Sequence, residues 1–183
     1  MDKSIVLLSG GMDSATALSI AKRKKLSCYA LTMDYGQKHS IEIEKAKLIA
    51  EHFQVVEHKI IEIDLTVFGG SALTDKNINI PEHESQGIPV TYVPARNTIF
   101  FSLALAWAEV IQANSIYSGV NAIDYSGYPD CRPEYIKAMQ ALVNLATKAT
   151  VEGSSIAIEA PLLDMNKMDI IKKGIENNVD FSK

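Results

Sequence analysis

An open, doubly wound α/β fold of about five parallel strands is the fold class the sequence predicts, on three observations. Continuous apolar runs with β-branched members, the first being SIVLL at residues 4–8, suit strands buried on both faces. Segments of helical periodicity alternate with those runs. The first three strand runs and the helices between them fit in about 60 residues, the spacing of right-handed βαβ crossovers.

The elements follow in order. After residues 4–8, apolar positions recur at helical spacing through residues 14–23, with Ala15, Leu18 and Ala21 on one stripe and Ala17 and Ile20 beside it. The basic run Lys22-Arg23-Lys24-Lys25 closes this helix, where cations suit the negative end of the dipole. Residues 27–33 (SCYALTM) form a second strand. Residues 39–52 form an amphipathic helix whose stripe runs Ile41, Lys45, Leu48 and His52, flanked by Ile49 and Phe53. Residues 55–63 alternate as a third strand. Residues 64–95 break the rhythm with Gly69-Gly70, Pro81, Gly87, Pro89 and Pro94; a loop of this length in a compact domain is usually functional or disordered. The pattern returns with a very apolar helix from Asn97 to Gln112, where Trp107 belongs either to the core or to a subunit contact. A strand at 115–118, a helix at 133–148 with Pro133 in its first turn, a short strand from Ser154 to Ile158 and a helix from Lys167 to Asn177 complete the chain.

Composition bounds the function. The 183 residues suit one domain spanning 1–183, and 47% apolar with 22% charged residues is ordinary for a soluble globular protein. A net charge of −4 implies no general attraction to nucleic acid. No run approaches the roughly 18 apolar residues of a membrane span, and no signal-peptide pattern is present, so a cytoplasmic protein with no membrane partner is expected. Cys28 and Cys131 are far apart and form neither a disulfide framework nor a metal cluster; each is expected to be a reduced structural thiol.

Chemistry is concentrated in LLSGGMDSATAL, residues 7–18. Ser9-Gly10-Gly11-Met12-Asp13-Ser14 joins the first strand to the first helix, and in a doubly wound sheet ligands sit at such strand ends. A glycine pair here is either a tight turn or a nest of N–H groups for an anion, reinforced by the helix N-terminus. Ser9 and Ser14 have hydroxyls to donate to phosphate oxygens. Asp13 reads as an N-cap, a first-turn acid or a ligand for magnesium carried on the phosphates. The three-glycine dinucleotide fingerprint and the Walker loop with its lysine are both absent.

SGGMDS resembles the SGGxDS pyrophosphate-binding loop of the PP-loop ATP pyrophosphatases, which form adenylates and release pyrophosphate. The resemblance implies a Rossmann-like sheet of the adenine nucleotide α-hydrolase type. It implies ATP and magnesium as cofactors, with Ser9, Gly10, Gly11, Asp13 and Ser14 on the terminal phosphates. Leu8, Met12, Ala15 and Thr16 would line the same turn, and the adenine would lie by Leu31, Thr32 and Met33.

Three further stretches narrow the acceptor: MDYGQKHS at 33–40, VPARN at 93–97 and GVNAIDYSGYPDCRPEY at 119–135. Asp124 suits an amino-pyrimidine edge, and Tyr125 and Tyr128 suit stacking on a ring. Asp130 and Arg132 suit an ion pair or a charged substituent. Arg96 would neutralise a carboxylate or phosphate, and Asn97 either contacts the acceptor or caps its helix. Together these stretches resemble the 7-cyano-7-deazaguanine synthase family from residue 4 to the end of the chain. That resemblance implies conversion of 7-carboxy-7-deazaguanine to its nitrile with ATP and ammonia, by a homodimer. With that chemistry, Tyr35, Arg96, Asn97, Asp124, Tyr125, Tyr128, Asp130 and Arg132 are expected at the acceptor and Asp13, Arg96 and Lys38 in catalysis. Lys38 and His39 would reach phosphates or move protons, His39 having a helix-start role as its alternative. Members of the family carry a zinc-binding cysteine cluster near the C-terminus; Cys28 and Cys131 do not belong to it, and no metal ligands are assigned in this chain. The competing readings are a tRNA-thiolating PP-loop enzyme, against which the acidic pI near 5.6 weighs, and a nucleotide-binding module without catalysis.

Overall fold

The structure, a computed structural model, describes residues 1–36, 41–75, 77–79, 87–123 and 127–181. Its elements in chain order are β1 (Lys3–Leu7), α1 (Met12–Arg23), β2 (Ser27–Asp34), α2 (Ile41–His52), β3 (Glu57–Glu62), α3 (Arg96–Ile111), β4 (Ser115–Tyr117), α4 (Pro133–Ala146), α5 (Lys148–Val151), β5 (Ala157–Glu159) and α6 (Lys167–Glu176). The strands form one sheet in the order β3-β2-β1-β4-β5, and every pairing is parallel. This is the predicted doubly wound fold. The chain turns back at β1, so the order reverses between β1 and β4.

Burial explains the strand patterns. Ser4, Ile5 and Val6 of central β1 are fully buried, because helices cover both faces. On one face Ile5, Leu31, Met33 and Ile116 pack with Phe101, Ala104 and Trp107 of α3 and with Met139 and Val143 of α4. On the other, Val6, Cys28, Ala30 and Tyr117 pack with Leu18 and Ala21 of α1 and Ala46 and Ala50 of α2. α6 docks on α1 through Ile170 and Ala17. β3 lies at the edge, and there only His58 and Ile61 are partly covered; they are three residues apart, so the exposed edge does not show the period-2 burial its sequence suggests. Trp107 is core: it is 8% exposed, meets Tyr29 edge to face at 5.9 Å and carries the Lys59 amine 5.1 Å above its ring.

Three further sequence expectations are corrected. The predicted stripe of α2 is not the buried one. Ile41 and Leu48 are 61% and 48% exposed, while Ala46 and Ala50 face the sheet. α2 lies so close to the loop after β1 that a Cβ on Gly10 would collide with the Glu42 carbonyl, and only small side chains fit beneath it. The helix predicted over 133–148 ends at Ala146, where Thr147 is extended (φ −120°), and a separate turn, α5, follows with Thr147 as its cap. β5 starts at Ala157, later than the run from Ser154 suggests.

Among the described residues, the long stretch 64–95 is ordered onto the body. It contains a 3-10 turn at Thr66–Phe68, buries Ser71, Ala72 and Thr74, and bonds the Ala72 N–H to the Val90 carbonyl at 2.9 Å.

Candidate active site

The loop after β1 and the loop after β4 meet at the reversal of strand order, the ligand-binding crevice of this architecture. Glycines make the meeting possible. Gly10 has φ +85°, a left-handed conformation that favours glycine. Gly119, after β4, lies against the start of α1: a Cβ there would stand 2.8 Å from the Asp13 carbonyl carbon and the Ser14 nitrogen.

Residues 9–14 form a self-braced turn. The Ser9 hydroxyl accepts from the Gly11 N–H at 3.3 Å and donates to the Ser14 hydroxyl at 3.1 Å. Ser14 Oγ also accepts from the Ser9 N–H and donates to the Gly11 carbonyl at 2.8 Å. These serines therefore brace the loop rather than point freely at a ligand. Gly11 is the N-cap of α1 and no side chain caps it among the described residues, so the helix presents a donor-rich end without a capping carboxylate or hydroxyl. Asp13 lies in the first turn, not at the cap.

A cavity of about 410 Å³ opens from this turn, within the usual range for small-molecule sites. At its far end Arg96, the first residue of α3, lies 5.8 Å from the Tyr35 ring and 6.0 Å from the Phe100 ring, and Nη1 donates to the Tyr35 hydroxyl at 3.5 Å. Burial opposes the charge of Arg96, but the Tyr35 oxygen and the nearby Asp130 carboxylate outweigh it and raise the pKa. Among the described residues no carboxylate comes within ion-pair distance of the guanidinium. Tyr128 forms a further wall, fixed by a 2.7 Å hydrogen bond to Thr91 and packed on Tyr92 at 5.8 Å.

The cavity gathers most of the residues singled out in the sequence: Leu8, Ser9, Gly11, Met12, Asp13 and Ser14 at one end, and Tyr35, Arg96, Asn97 and Tyr128 at the other, with Leu31 and Met33 along the floor. Gly10, Ala15 and Thr16 stand behind the turn, the last two buried. Thr32 points to the opposite face of β2 from Leu31 and Met33, as strand alternation demands, and its hydroxyl donates to the Leu8 carbonyl at 2.6 Å. Asp130 is buried beside the cavity and bonded to Asn97, while Arg132 is exposed, so of the two roles expected for this pair the ion pair is not formed. Lys38, His39, Asp124 and Tyr125 lie outside the described residues. The wall also contains residues the sequence did not single out: Glu42, Leu73, Phe100 and Val120. Phe100 was findable, because it lies four residues after Arg96 on one helix face. Leu73 and Glu42 carry no such signal.

Cys131 lines the cavity too. Burial, aided by Asp130, pushes its thiol up to about 11, so it is protonated near neutral pH and unsuited to nucleophilic attack. The arrangement therefore provides an uncapped, donor-rich helix start, an apolar floor, and a cation between aromatic walls, with no activated nucleophile among the described residues.

A family model described as "Queuosine biosynthesis protein QueC" matches residues 3–183. Two curated relatives named 7-cyano-7-deazaguanine synthase, from Methylobacillus flagellatus and Saccharophagus degradans, are 58% and 54% identical over 98% of this chain. The chain spans 79% and 80% of their lengths. Among solved structures, a predicted subunit of tRNA methyltransferase from Methanocaldococcus jannaschii superposes with a TM-score of 0.60 at 16% identity, over 96% of this chain and 75% of that one, a likeness of fold.

Proposed function

The chain belongs to the QueC family of queuosine biosynthesis proteins, and from that premise we propose that it converts 7-carboxy-7-deazaguanine and ammonia to 7-cyano-7-deazaguanine at the expense of ATP. One observation carries the reading at the level of residues: a single cavity joins the donor-rich turn of residues 9–14 to a guanidinium that lacks a carboxylate partner among the described residues.

The chemistry requires such a cavity. A carboxylate is a poor electrophile because its leaving group would be oxide. Attack of its oxygen on the α-phosphorus of ATP expels pyrophosphate and leaves an acyl adenylate. Ammonia then adds to the acyl carbon, AMP departs, and the amide remains. A second adenylation on the amide oxygen, followed by loss of AMP and protons, yields the nitrile. The protein has to align acid and α-phosphate, stabilise developing charge and exclude water. Asp13, Arg96 and Lys38 are the residues to which we assign catalysis. The turn and the α1 N-terminus would receive the pyrophosphate end, and Leu31 and Met33 would floor the nucleotide. Tyr35, Phe100 and Tyr128 would enclose the deazaguanine ring, and Arg96 would take the carboxylate. Asp13 and Glu42 both line the wall beside the turn; among the described residues they are not joined by a third acidic, histidine or cysteine ligand, so magnesium would arrive carried on the phosphates rather than on a protein site of its own. Carried so, it would neutralise phosphate charge. Zinc has no ligand set among the described residues: Cys28 and Cys131 are buried in separate clusters.

The wider reading is one PP-loop domain, acting as a cytoplasmic homodimer on free ammonia; no helix among the described residues is long and apolar enough to cross a membrane. The test supplies ATP, magnesium, ammonium and 7-carboxy-7-deazaguanine and follows AMP and nitrile by mass spectrometry. Turnover to the nitrile is the expected result. No turnover, with ready thiolation of tRNA by the same protein, would overturn the reading; ATP binding with no AMP formed would reduce it to a nucleotide-binding module.

A further inference from the structure

α3 begins without a cap of its own. Its N-cap, Ala95, has left-handed angles (φ 55°, ψ 19°) and no side chain able to accept a hydrogen bond. The missing acceptor arrives from 33 residues further along: Asp130 Oδ2 accepts the Asn97 N–H at 3.0 Å. The same pair is joined a second time, by Asn97 Nδ2 donating to the Asp130 main-chain carbonyl at 2.9 Å. A carbonyl only accepts, so this contact settles which end of the Asn97 amide is nitrogen. Its remaining hydrogen is directed to Cys131 Sγ at 3.4 Å. Both amide hydrogens are thereby committed, and Asn97, which lines the cavity, has only Oδ1 left for a ligand.

Asp130 itself is 5% exposed and absent from the cavity wall, so it does not touch a bound acid. It also stops short of an ion pair with Arg96. Its charge favours the guanidinium without occupying the fork that a carboxylate ligand needs.

We propose that Asp130 is a positioning residue: by capping α3 from a distant loop it presents Arg96 and Asn97 Oδ1 together, a cation beside an obligate hydrogen-bond acceptor. That pairing suits an acceptor that carries an oxygen anion or carbonyl in one stage and an N–H₂ group in the next. The guanidinium takes the oxygen and Oδ1 takes the N–H, so a carboxamide is turned with its oxygen, not its nitrogen, away from the asparagine. The inference rests on the functional reading above.

The test measures equilibrium binding of 7-carboxy-7-deazaguanine, of the corresponding carboxamide and of ATP to the wild type, Asp130→Ala and Asp130→Asn. The alanine variant should weaken acid and carboxamide by about tenfold or more, the scale of a lost cap and a misplaced charged bond. ATP, held at the opposite end, should bind within about twofold of wild type. Asparagine keeps an acceptor for the Asn97 N–H and should restore most of the loss. The proposal is overturned if the alanine variant binds acid and carboxamide normally, if ATP weakens in parallel, or if asparagine is no better than alanine. A wild type that binds neither the acid nor the carboxamide sinks the functional reading and this inference with it; normal wild-type binding with indifferent variants sinks this inference alone.

Discussion

A guanidinium enclosed by aromatic rings, with no carboxylate of the described residues in ion-pair reach, loses hydration for little return until an anion arrives. Arg96 occupies that position, so its removal should harm binding and rate more than folding. Arg96→Ala is expected to lower kcat/KM for the acid by roughly a hundredfold or more, the size of effect seen when one partner of a buried charged contact is deleted. Its thermal midpoint should stay near wild type; wild-type kinetics would remove Arg96 from the site. Asp13 poses the opposite problem, a carboxylate in an anion site. Its place in the first turn of α1 is worth about 0.3–1 kcal/mol to the helix, so Asp13→Ala should fold. AMP release should nevertheless fall sharply and require more magnesium; unchanged AMP release at limiting magnesium would refute its assignment to the phosphate end. Both residues were legible in sequence, Asp13 within the SGGMDS turn after the first strand and Arg96 in VPARN, where the long loop opens the buried helix. The part played by Asp130 was not. An aspartate beside Arg132 suggests a neighbouring ion pair, whereas the fold commits it to a helix start 33 residues away. Such a contact is tertiary and has no local pattern.

Elements bring those side chains together by unusually close backbone approaches. The glycine pair of residues 10 and 11 reads locally as a turn or an anion nest, and the fold adds a second demand: Gly10 lies under α2 and Gly119 lies against Asp13 and Ser14. Gly119→Ala would place a carbon 2.8 Å from that backbone, where real contacts begin near van der Waals distance, and the β4 loop or the phosphate turn must move. We expect a lower thermal midpoint together with a raised KM for ATP. A normal KM with only the midpoint lowered would show that the displacement goes elsewhere. Element order and the parallel sheet were readable because period and apolar runs are local properties. The buried face of α2 was not, because close packing against a glycine turn selected Ala46 and Ala50 over the larger Ile41 and Leu48. Nor was the contribution of Leu73: residues 64–95 have no repeat to read, and only the burial of its neighbours Ser71, Ala72 and Thr74 against the body brings that side chain to the cavity.

Across the whole molecule, the covering of both sheet faces decides how stability depends on pH. His58, half-buried on edge strand β3, has its pKa lowered by burial and then by Lys47. Thr32 spends its proton on the Leu8 carbonyl, so His58 Nε2 donates to Thr32 Oγ1 at 2.8 Å. The unfolded chain protonates this imidazole near its ordinary value of 6.5, before the folded chain does. Stability present above that pH is therefore lost as pH falls through it towards the folded value. The alkaline side has the opposite sign. Burial pushes the Cys28 and Cys131 thiols from about 9 up to about 11, and the Tyr135 phenol from about 10 up to about 12. The folded state holds these protons longer than the unfolded one, so the stability they confer is complete below pH 9 and drains as pH rises towards 11 and 12. Urea midpoints measured from pH 5.5 to 11 should thus form a plateau between about 7 and 8.5 with a fall on each side. His58→Gln should flatten the acid fall between pH 7 and 6. The double variant Cys28→Ala/Cys131→Ala should flatten the fall above pH 9, even though its plateau is lower for want of two buried side chains. Limbs of unchanged slope in these variants would mean that other groups set the profile.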